Sequence, residues 1–364
     1  MKNKNKGGGI VGGFVLIAIG IVCLWWNEGR TAKQIALLKE AKANYVQLDS
    51  TKINKDSDKK LVALNGKMDL SGSEDLIDEE FGIKVHSAKL YRQVEMYQWD
   101  ESCTTRDNGT QHCTYDKEWS STVINSSTFH EKNHENPASM LFESNTVLAT
   151  NVKLGEFRVP GELVKNLSTK EVVKELSQEA AANKNMKISS SGDMYTNSQD
   201  EANPQIGDHR IKFYKNNATD ISIMAVQTGD TFSAYTAKNG NTLMVIREGN
   251  MTGAQIIADL VKSNNFMKWL FRLLGFLAVT LGISSLFSFL TNLTSRIPIL
   301  GSLVGGTVFL VALVLGLAIS LIVCAIAWFR FRPIISLILI VIALVVFVLL
   351  KFVLNKKEAV AAKK

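Results

Sequence analysis

Residues 303–329 read LVGGTVFLVALVLGLAISLIVCAIAWF, an unbroken run without a charged side chain. A helix needs about 20 apolar residues to cross a hydrocarbon core, and this run is too long and too apolar for the interior of a water-soluble domain. Three more segments share its character: Ile10 to Trp26, Trp269 to Leu290 and Ile334 to Val353. One apolar span thus precedes a long polar stretch, and three follow it. The expected fold class is an α+β extracytoplasmic domain plus a four-span α-helical membrane region. The expected boundaries are 1–9 for a cytoplasmic N-terminus, 10–26 for span 1, 27–265 for the extracytoplasmic domain, 269–290, 303–329 and 334–353 for spans 2 to 4, and 354–364 for a basic cytoplasmic tail.

Lys2, Lys4 and Lys6 precede the first span as they would in a signal peptide. The span ends, however, in Trp25-Trp26-Asn27-Glu28-Gly29-Arg30, without a small-residue cleavage pattern, so it reads as a retained anchor. Arg272 enters the second span and is expected to snorkel to the interface beside Trp269. Positive charge near spans favours the cytoplasmic side. The N-terminal lysines and Lys351, Lys356, Lys357, Lys363 and Lys364 therefore belong on that side, and the polar domain faces away from the cytosol. Arg296 agrees with this arrangement. Arg330 and Arg332 oppose it and read as a short turn at the headgroups. The chain is basic, with 41 Lys and Arg against 34 Asp and Glu. Much of the excess lies in the short ends, where it sets topology and meets anionic lipid, and no basic run carries the interleaved aromatics of a single-strand nucleic-acid groove.

Cys103 and Cys113 flank a turn signal, Asp107-Asn108-Gly109. A three-residue loop with Gly109 in the left-handed conformation sets the two cysteines opposite each other at a non-hydrogen-bonded position. Opposed Cα atoms there lie about 4.5 Å apart, within disulfide range. The expected disulfide places the domain in an oxidising space. A zinc site adding His112 lacks a second cysteine pair at ligand spacing.

Thr31 to Val46 is expected to continue span 1 as a juxtamembrane helix, and Lys52 to Lys60 to form a loop. Val85 to Trp99 and Thr114 to Asn125 read as a long hairpin. Thr231 to Thr236 and Thr242 to Arg247 suggest a second, and Ile211 to Tyr214 and Ile221 to Gln227 further strands. Ser168 with Glu171 resembles a capping box for a helix reaching Asn183, and Thr252 with Gln255 one for a helix running into span 2.

Catalytic signals are weak. His130-Glu131-Lys132-Asn133-His134 matches a zinc-hydrolase helix formally. Its polar, turn-like surroundings and Pro137 favour a loop, and no metal or cofactor is expected. Glu95 and Glu101 face one side of a strand and Asp100 the other, so they read as solvated sheet residues. Gly7-Gly8-Gly9 and Gly12-Gly13, at the membrane entry, suit flexibility or helix contact. Gly301 and Gly305, continued by Ala312, Gly316 and Ser320, make a small-residue helix face suited to close packing, within one bundle or between subunits. The expected spans carry no mid-membrane acid of the kind transporters use.

Asn27-Glu28-Gly29-Arg30, Val94-Glu95-Met96-Tyr97-Gln98-Trp99, Glu118-Trp119, Asn136-Pro137-Ala138-Ser139-Met140, Gly207-Asp208-His209-Arg210 and Phe329-Arg330-Phe331-Arg332-Pro333 together resemble the LUMA family, also called transmembrane protein 43. The likeness runs over nearly the whole chain, in the same order. It implies a membrane protein with cytosolic or nucleoplasmic ends and a luminal domain. In animals it implies the endoplasmic reticulum and inner nuclear membrane, self-association, and emerin and lamins as partners. It implies an organising role without established catalysis. The family also occurs in bacteria, and the disulfide hairpin departs from the animal pattern in a way that fits a periplasmic variant. The expected function is a non-enzymatic, self-associating scaffold that engages lipids and unidentified membrane or extracytoplasmic proteins, and no nucleic acid. A channel or transport component and, more remotely, an extracytoplasmic metal-dependent hydrolase are the alternatives.

Overall fold

A computed structural model describes residues 8–105, 110–174, 176–189, 192–196, 203–294 and 301–329, together with 337–338, 341–342, 344–349 and 351. The chain divides into two compact units. One holds residues 1–43, 236–242 and 257–364; the other holds 44–235 and 243–256.

The first unit is helical. Helix α1 (Gly8–Asn44) carries the first span and runs on through the expected juxtamembrane helix without a break. Helix α2 (Gly253–Thr294) and helix α3 (Gly301–Phe329) follow. Among the described residues three helices are long and apolar enough to cross a membrane, against the four expected. Residues 330–336 lie outside the described residues, Arg330 and Arg332 among them, as do Arg296 and nine of the twenty residues of the expected fourth span; the eleven described there are helical.

Glycine decides how α1 meets α2. A Cβ at Gly13 would stand 2.9 Å from the Gly282 carbonyl oxygen, and one at Gly20 would stand 2.8 Å from that of Gly275. In return, a Cβ at Gly282 would stand 2.7 Å from the Gly13 carbonyl oxygen, and one at Gly275 would strike Leu24 at 2.6 Å and lie 3.2 Å from the Gly20 carbonyl oxygen. Residues seven apart on one helix thus face residues seven apart on an antiparallel partner, and the backbones approach because neither carries a side chain there. Gly12, by contrast, opens onto free space.

Ala312 and Gly316 are also used inside the bundle. Ala312 packs with Val279 and Ile283, and a Cβ at Gly316 would strike Thr280 Oγ1 at 2.3 Å. Gly301 and Gly305 lie in α3, but their surroundings fall outside the described residues.

The second unit is β-rich. Its long strands are β1 (Leu61–Asp69), β2 (Lys89–Thr105), β3 (Gln111–Ser120), β4 (His209–Lys215) and β5 (Asp220–Thr228). Among the described residues they sit in two seven-stranded sheets. In the first, β5 lies antiparallel to β1, with Ile223 opposite Leu64. In the second, β2 is flanked by β4, with Arg210 opposite Glu95, and by β3, with Cys103 opposite Cys113. Val62, Leu64, Ile221 and Ile223 of one sheet share a core with Leu90, Val94, Ile211 and Phe213 of the other. From Leu90 to Gln98 every second residue of β2 is buried, the period a half-covered strand requires. A buried ion pair, Arg92 to Asp78 at 2.7 Å, lies in this unit, with the guanidinium over the Phe81 ring.

Three expectations change. The helix expected from Ser168 is absent: Glu171–Val172 is a strand on β4, and only Gln178–Asn183 is helical. The Ser168 hydroxyl and N–H both donate to Glu248, at 2.7 and 2.8 Å, so it caps nothing. The second hairpin shrinks to Tyr235–Thr236 against Thr242–Leu243, because Thr231–Ser233 and Val245–Glu248 both pair with β5. With helices so short, the unit is less helical than an α+β reading implies. The box at Thr252 forms as expected: Thr252 N–H donates to Gln255 Oε1 at 2.8 Å and Gln255 N–H to Thr252 Oγ1 at 3.4 Å.

Candidate functional site

The sequence-selected residues gather in two places, one in each unit.

In the helical unit, Asn27, Glu28 and Thr31 are fully buried. Asn27 Nδ2 donates to the Lys268 carbonyl at 3.0 Å, continuing the seven-residue spacing of Gly13 and Gly20. Arg30 donates to Asn264 Oδ1 at 3.1 Å and to Asn27 Oδ1 at 3.2 Å. Arg272 lies over the Trp269 ring, 4.9 Å from its centroid, the neighbour expected for it. Its Nε also donates to Glu28 Oε1 at 2.5 Å, which sequence reasoning missed. Gly29 faces open space and makes no close approach. Glu28 lies just past the expected end of span 1, but the helix continues and the carboxylate is enclosed. An acidic side chain is therefore present inside this bundle.

In the β-rich unit, one face of β2, β3 and β4 carries a ladder of cross-strand pairs. Arg210 forks onto Glu95 Oε2 at 2.6 and 2.9 Å and covers the Trp119 ring at 4.5 Å. Tyr97 pairs with Trp119, and Trp119 meets Tyr195 edge-on. Lys117 sits 4.7 Å over Trp99. Glu101 accepts the Tyr115 hydroxyl proton at 2.6 Å, and the Cys103–Cys113 disulfide ends the row. Glu95 and Glu101 do share a face, as the alternation requires, but both are engaged rather than simply solvated. Tyr115 and the His130 N–H hold the Glu101 carboxyl below its usual range. Enclosure, then the bond to Glu101, raises the Tyr115 phenol.

The other motif residues form the frame. Tyr97 N–H donates to the Asp208 carbonyl and Gly207 N–H to that of Tyr97, at 2.8 and 2.9 Å. Asn136 replaces a strand: its Oδ1 accepts from Trp99 N–H at 2.7 Å and its Nδ2 donates to the Trp99 carbonyl at 2.9 Å. Gly207, at φ +92, packs on Pro137, with a Cβ there only 3.2 Å from Pro137 Cγ. Gln98 is buried and bridges Thr122 and Ile124, Met96 lies in the interior, and Asp208 accepts from Gln205 N–H at 2.7 Å. His209 Nε2 accepts from Leu141 N–H at 3.1 Å, and burial pushes this imidazole's pKa down.

Segments up to more than a hundred residues apart thus build one structure, and comparison shows where else they occur. The family model for Transmembrane protein 43 matches residues 96–333. The chain belongs to the transmembrane protein 43 family. It is 28% identical over 350 residues to Transmembrane protein 43 of Rattus norvegicus, covering 91% of this chain and 86% of that one. It is 27% identical to the Homo sapiens protein over 361 residues, 94% and 89% of the two chains. Against Transmembrane protein 43 homolog of Drosophila melanogaster the identity is 25% over 344 residues, 89% of each. No solved structure matches.

For this family member the apparent zinc-hydrolase motif is a bend and turn, not a helix. His134 stacks on Tyr115 at 3.8 Å, while His130 points to Gln111 and Glu101. The residues missed from sequence are Lys117, Tyr115 and Tyr195; His130 is singled out there only as part of a helical motif, not for its place beside Glu101 and Cys103. For Lys117 and Tyr115 the signal is positional, since they fall opposite Trp99 and Glu101 in the hairpin register, whereas Tyr195 lies on a separate strand, Met194–Thr196, and His130 in a bend that no hairpin register places.

Proposed function

We propose that this transmembrane protein 43 family member is a non-enzymatic, self-associating membrane scaffold that organises lipids and partner proteins through its β-rich unit. The supporting observation is the edge strand β3. Among the described residues it pairs only with β2. Tyr97 and Trp99 send their backbone groups away from β3 to Asp208 and Asn136, so by alternation Cys113, Tyr115, Lys117 and Trp119 send theirs outward from β3. A ten-residue edge with outward N–H and C=O groups, beside a half-exposed Tyr97–Trp119–Arg210 cluster, suits strand addition by a second copy or a partner. In this reading the chain has four spans, both ends are cytoplasmic, and the β-rich unit is periplasmic in a bacterial inner membrane, or luminal in a eukaryotic cell.

The test is assembly state. Lys117→Pro removes one outward N–H without removing a bond to β2. Light scattering of the detergent-solubilised full chain should show an oligomer for the wild type and a smaller, folded species for Lys117→Pro. A monomeric wild type, or an unchanged variant, overturns the reading. The enclosed Glu28–Arg272 pair favours a second reading, a channel or transport component. Ion flux in proteoliposomes that is lost in Glu28→Gln would support that one instead.

A further inference from the structure

Four Lewis bases meet at the tip-side end of the ladder. The Cys103 and Cys113 sulfurs, His130 Nδ1 and a Glu101 carboxylate oxygen all lie within 4.8 Å of one another. Gln111 Oε1 stands 2.9 Å from His130 Nε2 and, in the neutral imidazole, accepts a hydrogen bond from the Nε2–H. Nδ1 then presents a lone pair toward Cys103 Sγ at 3.7 Å and Glu101 Oε1 at 3.4 Å. The second Glu101 oxygen is held by Tyr115 and by the His130 N–H, which fixes the carboxylate's direction.

The two His130 spacings fit edges of a coordination tetrahedron. With Zn–S of about 2.3 Å and Zn–N or Zn–O of about 2.05 Å, tetrahedral edges are roughly 3.6 Å for N to S and roughly 3.4 Å for N to O. The two observed distances match both edges. The two sulfurs, bonded to each other here, must separate before both can act as ligands.

We infer that the reduced hairpin is a Zn²⁺ site formed by Cys103, Cys113, His130 and Glu101, and that the disulfide is its metal-free state. A dithiol reductant supplies two electrons and two protons, breaking the S–S bond and leaving as its own disulfide. Zn²⁺ then displaces both thiol protons and takes the two thiolates, the imidazole and the carboxylate as ligands. A low-molecular-weight disulfide reverses the process: Cys103 and Cys113 rejoin, two thiolates of the oxidant leave, and Zn²⁺ is released. The β2–β3 ladder holds both sulfurs opposite each other in either state, so binding needs side-chain rotation rather than refolding.

The experiment uses the full chain in detergent with Cys23→Ser and Cys324→Ser, so that only the hairpin thiols respond. The oxidised protein should bind no stoichiometric Co²⁺ or Zn²⁺. After reduction it should take up one Co²⁺ with sulfur-to-metal charge-transfer absorption and tetrahedral d–d bands, bleached by Zn²⁺. His130→Ala and, independently, Glu101→Gln should each weaken binding at least about tenfold. His112→Ala, on the same hairpin but outside the cluster, should leave it unchanged. Thiol counting and thermal melting of the oxidised variants check that the hairpin still forms. A reduced parent protein without the charge-transfer band, or one whose affinity ignores both His130→Ala and Glu101→Gln, overturns the assignment.

Discussion

Gly20 and Gly275 face each other across α1 and α2 so closely that a Cβ on Gly20 would lie 2.8 Å from the Gly275 carbonyl oxygen. Overpacking a closed interface costs about 1 to 3 kcal/mol. Gly20→Val should therefore lower the thermal midpoint in detergent by several degrees and reduce folded yield, whereas Gly12→Val, facing open space, should do neither. Equal behaviour of the two variants would refute the glycine contact.

Glu28 is fully buried and Arg272 is its partner at 2.5 Å. Removing one member of a buried pair leaves the other uncompensated, at a cost of about 3 to 5 kcal/mol, the lower end applying here because Arg272 is partly exposed. Arg272→Met should destabilise accordingly, and Glu28→Gln combined with Arg272→Met should recover much of the loss. A double-mutant cycle by chemical denaturation in detergent reads the coupling; additive effects would show that the two side chains act independently.

Asn136 supplies both the donor and the acceptor that Trp99 lacks from a neighbouring strand. Asn136→Ala should cost about 1 to 3 kcal/mol through the two backbone groups left unpaired. Hydrogen exchange at the Trp99 amide should accelerate selectively, ahead of any change at Leu90 or Val94. Protection retained at Trp99 would mean that another group bonds it.

His209 is buried and neutral, with Nε2 accepting from Leu141 N–H, and its pKa is lowered by that burial. The unfolded chain binds the proton more readily than the folded one, so stability rises with pH. The contribution is complete above the ordinary histidine pKa of about 6.5 and is lost as pH falls from there toward the lowered folded value. Urea midpoints should drop on acidification from neutrality in the wild type and drop less in His209→Gln. Parallel pH profiles would exclude His209 as the source.

Much of this molecule was legible in the residues. The first three spans follow from apolar length alone, and the Thr252 cap from a local box. The cysteine pairing is read from an expected three-residue loop at Asp107-Asn108-Gly109; that loop lies outside the described residues, but the register beside it sets Cys103 opposite Cys113. Ser168 misled because its capping pattern was local while its bonding partner, Glu248, lies 80 residues on. Strand β1 escaped notice because it is buried along Leu61–Leu64, without the alternation of a half-covered strand. The site was half legible: Glu95, Tyr97, Trp119 and Arg210 stood out as motif residues, but nothing local says that they touch.

The sequence by itself determined the first three membrane segments, the β2–β3 hairpin and the disulfide, because hydropathy, alternation and turn chemistry act over short stretches of chain. Only the tertiary structure decided that Gly13 and Gly20 meet Gly282 and Gly275, that Glu28 is neutralised by Arg272, and that His130 reaches the cysteines. Each of these depends on closing a long loop, and the register of distant elements is set by the packing of the whole unit.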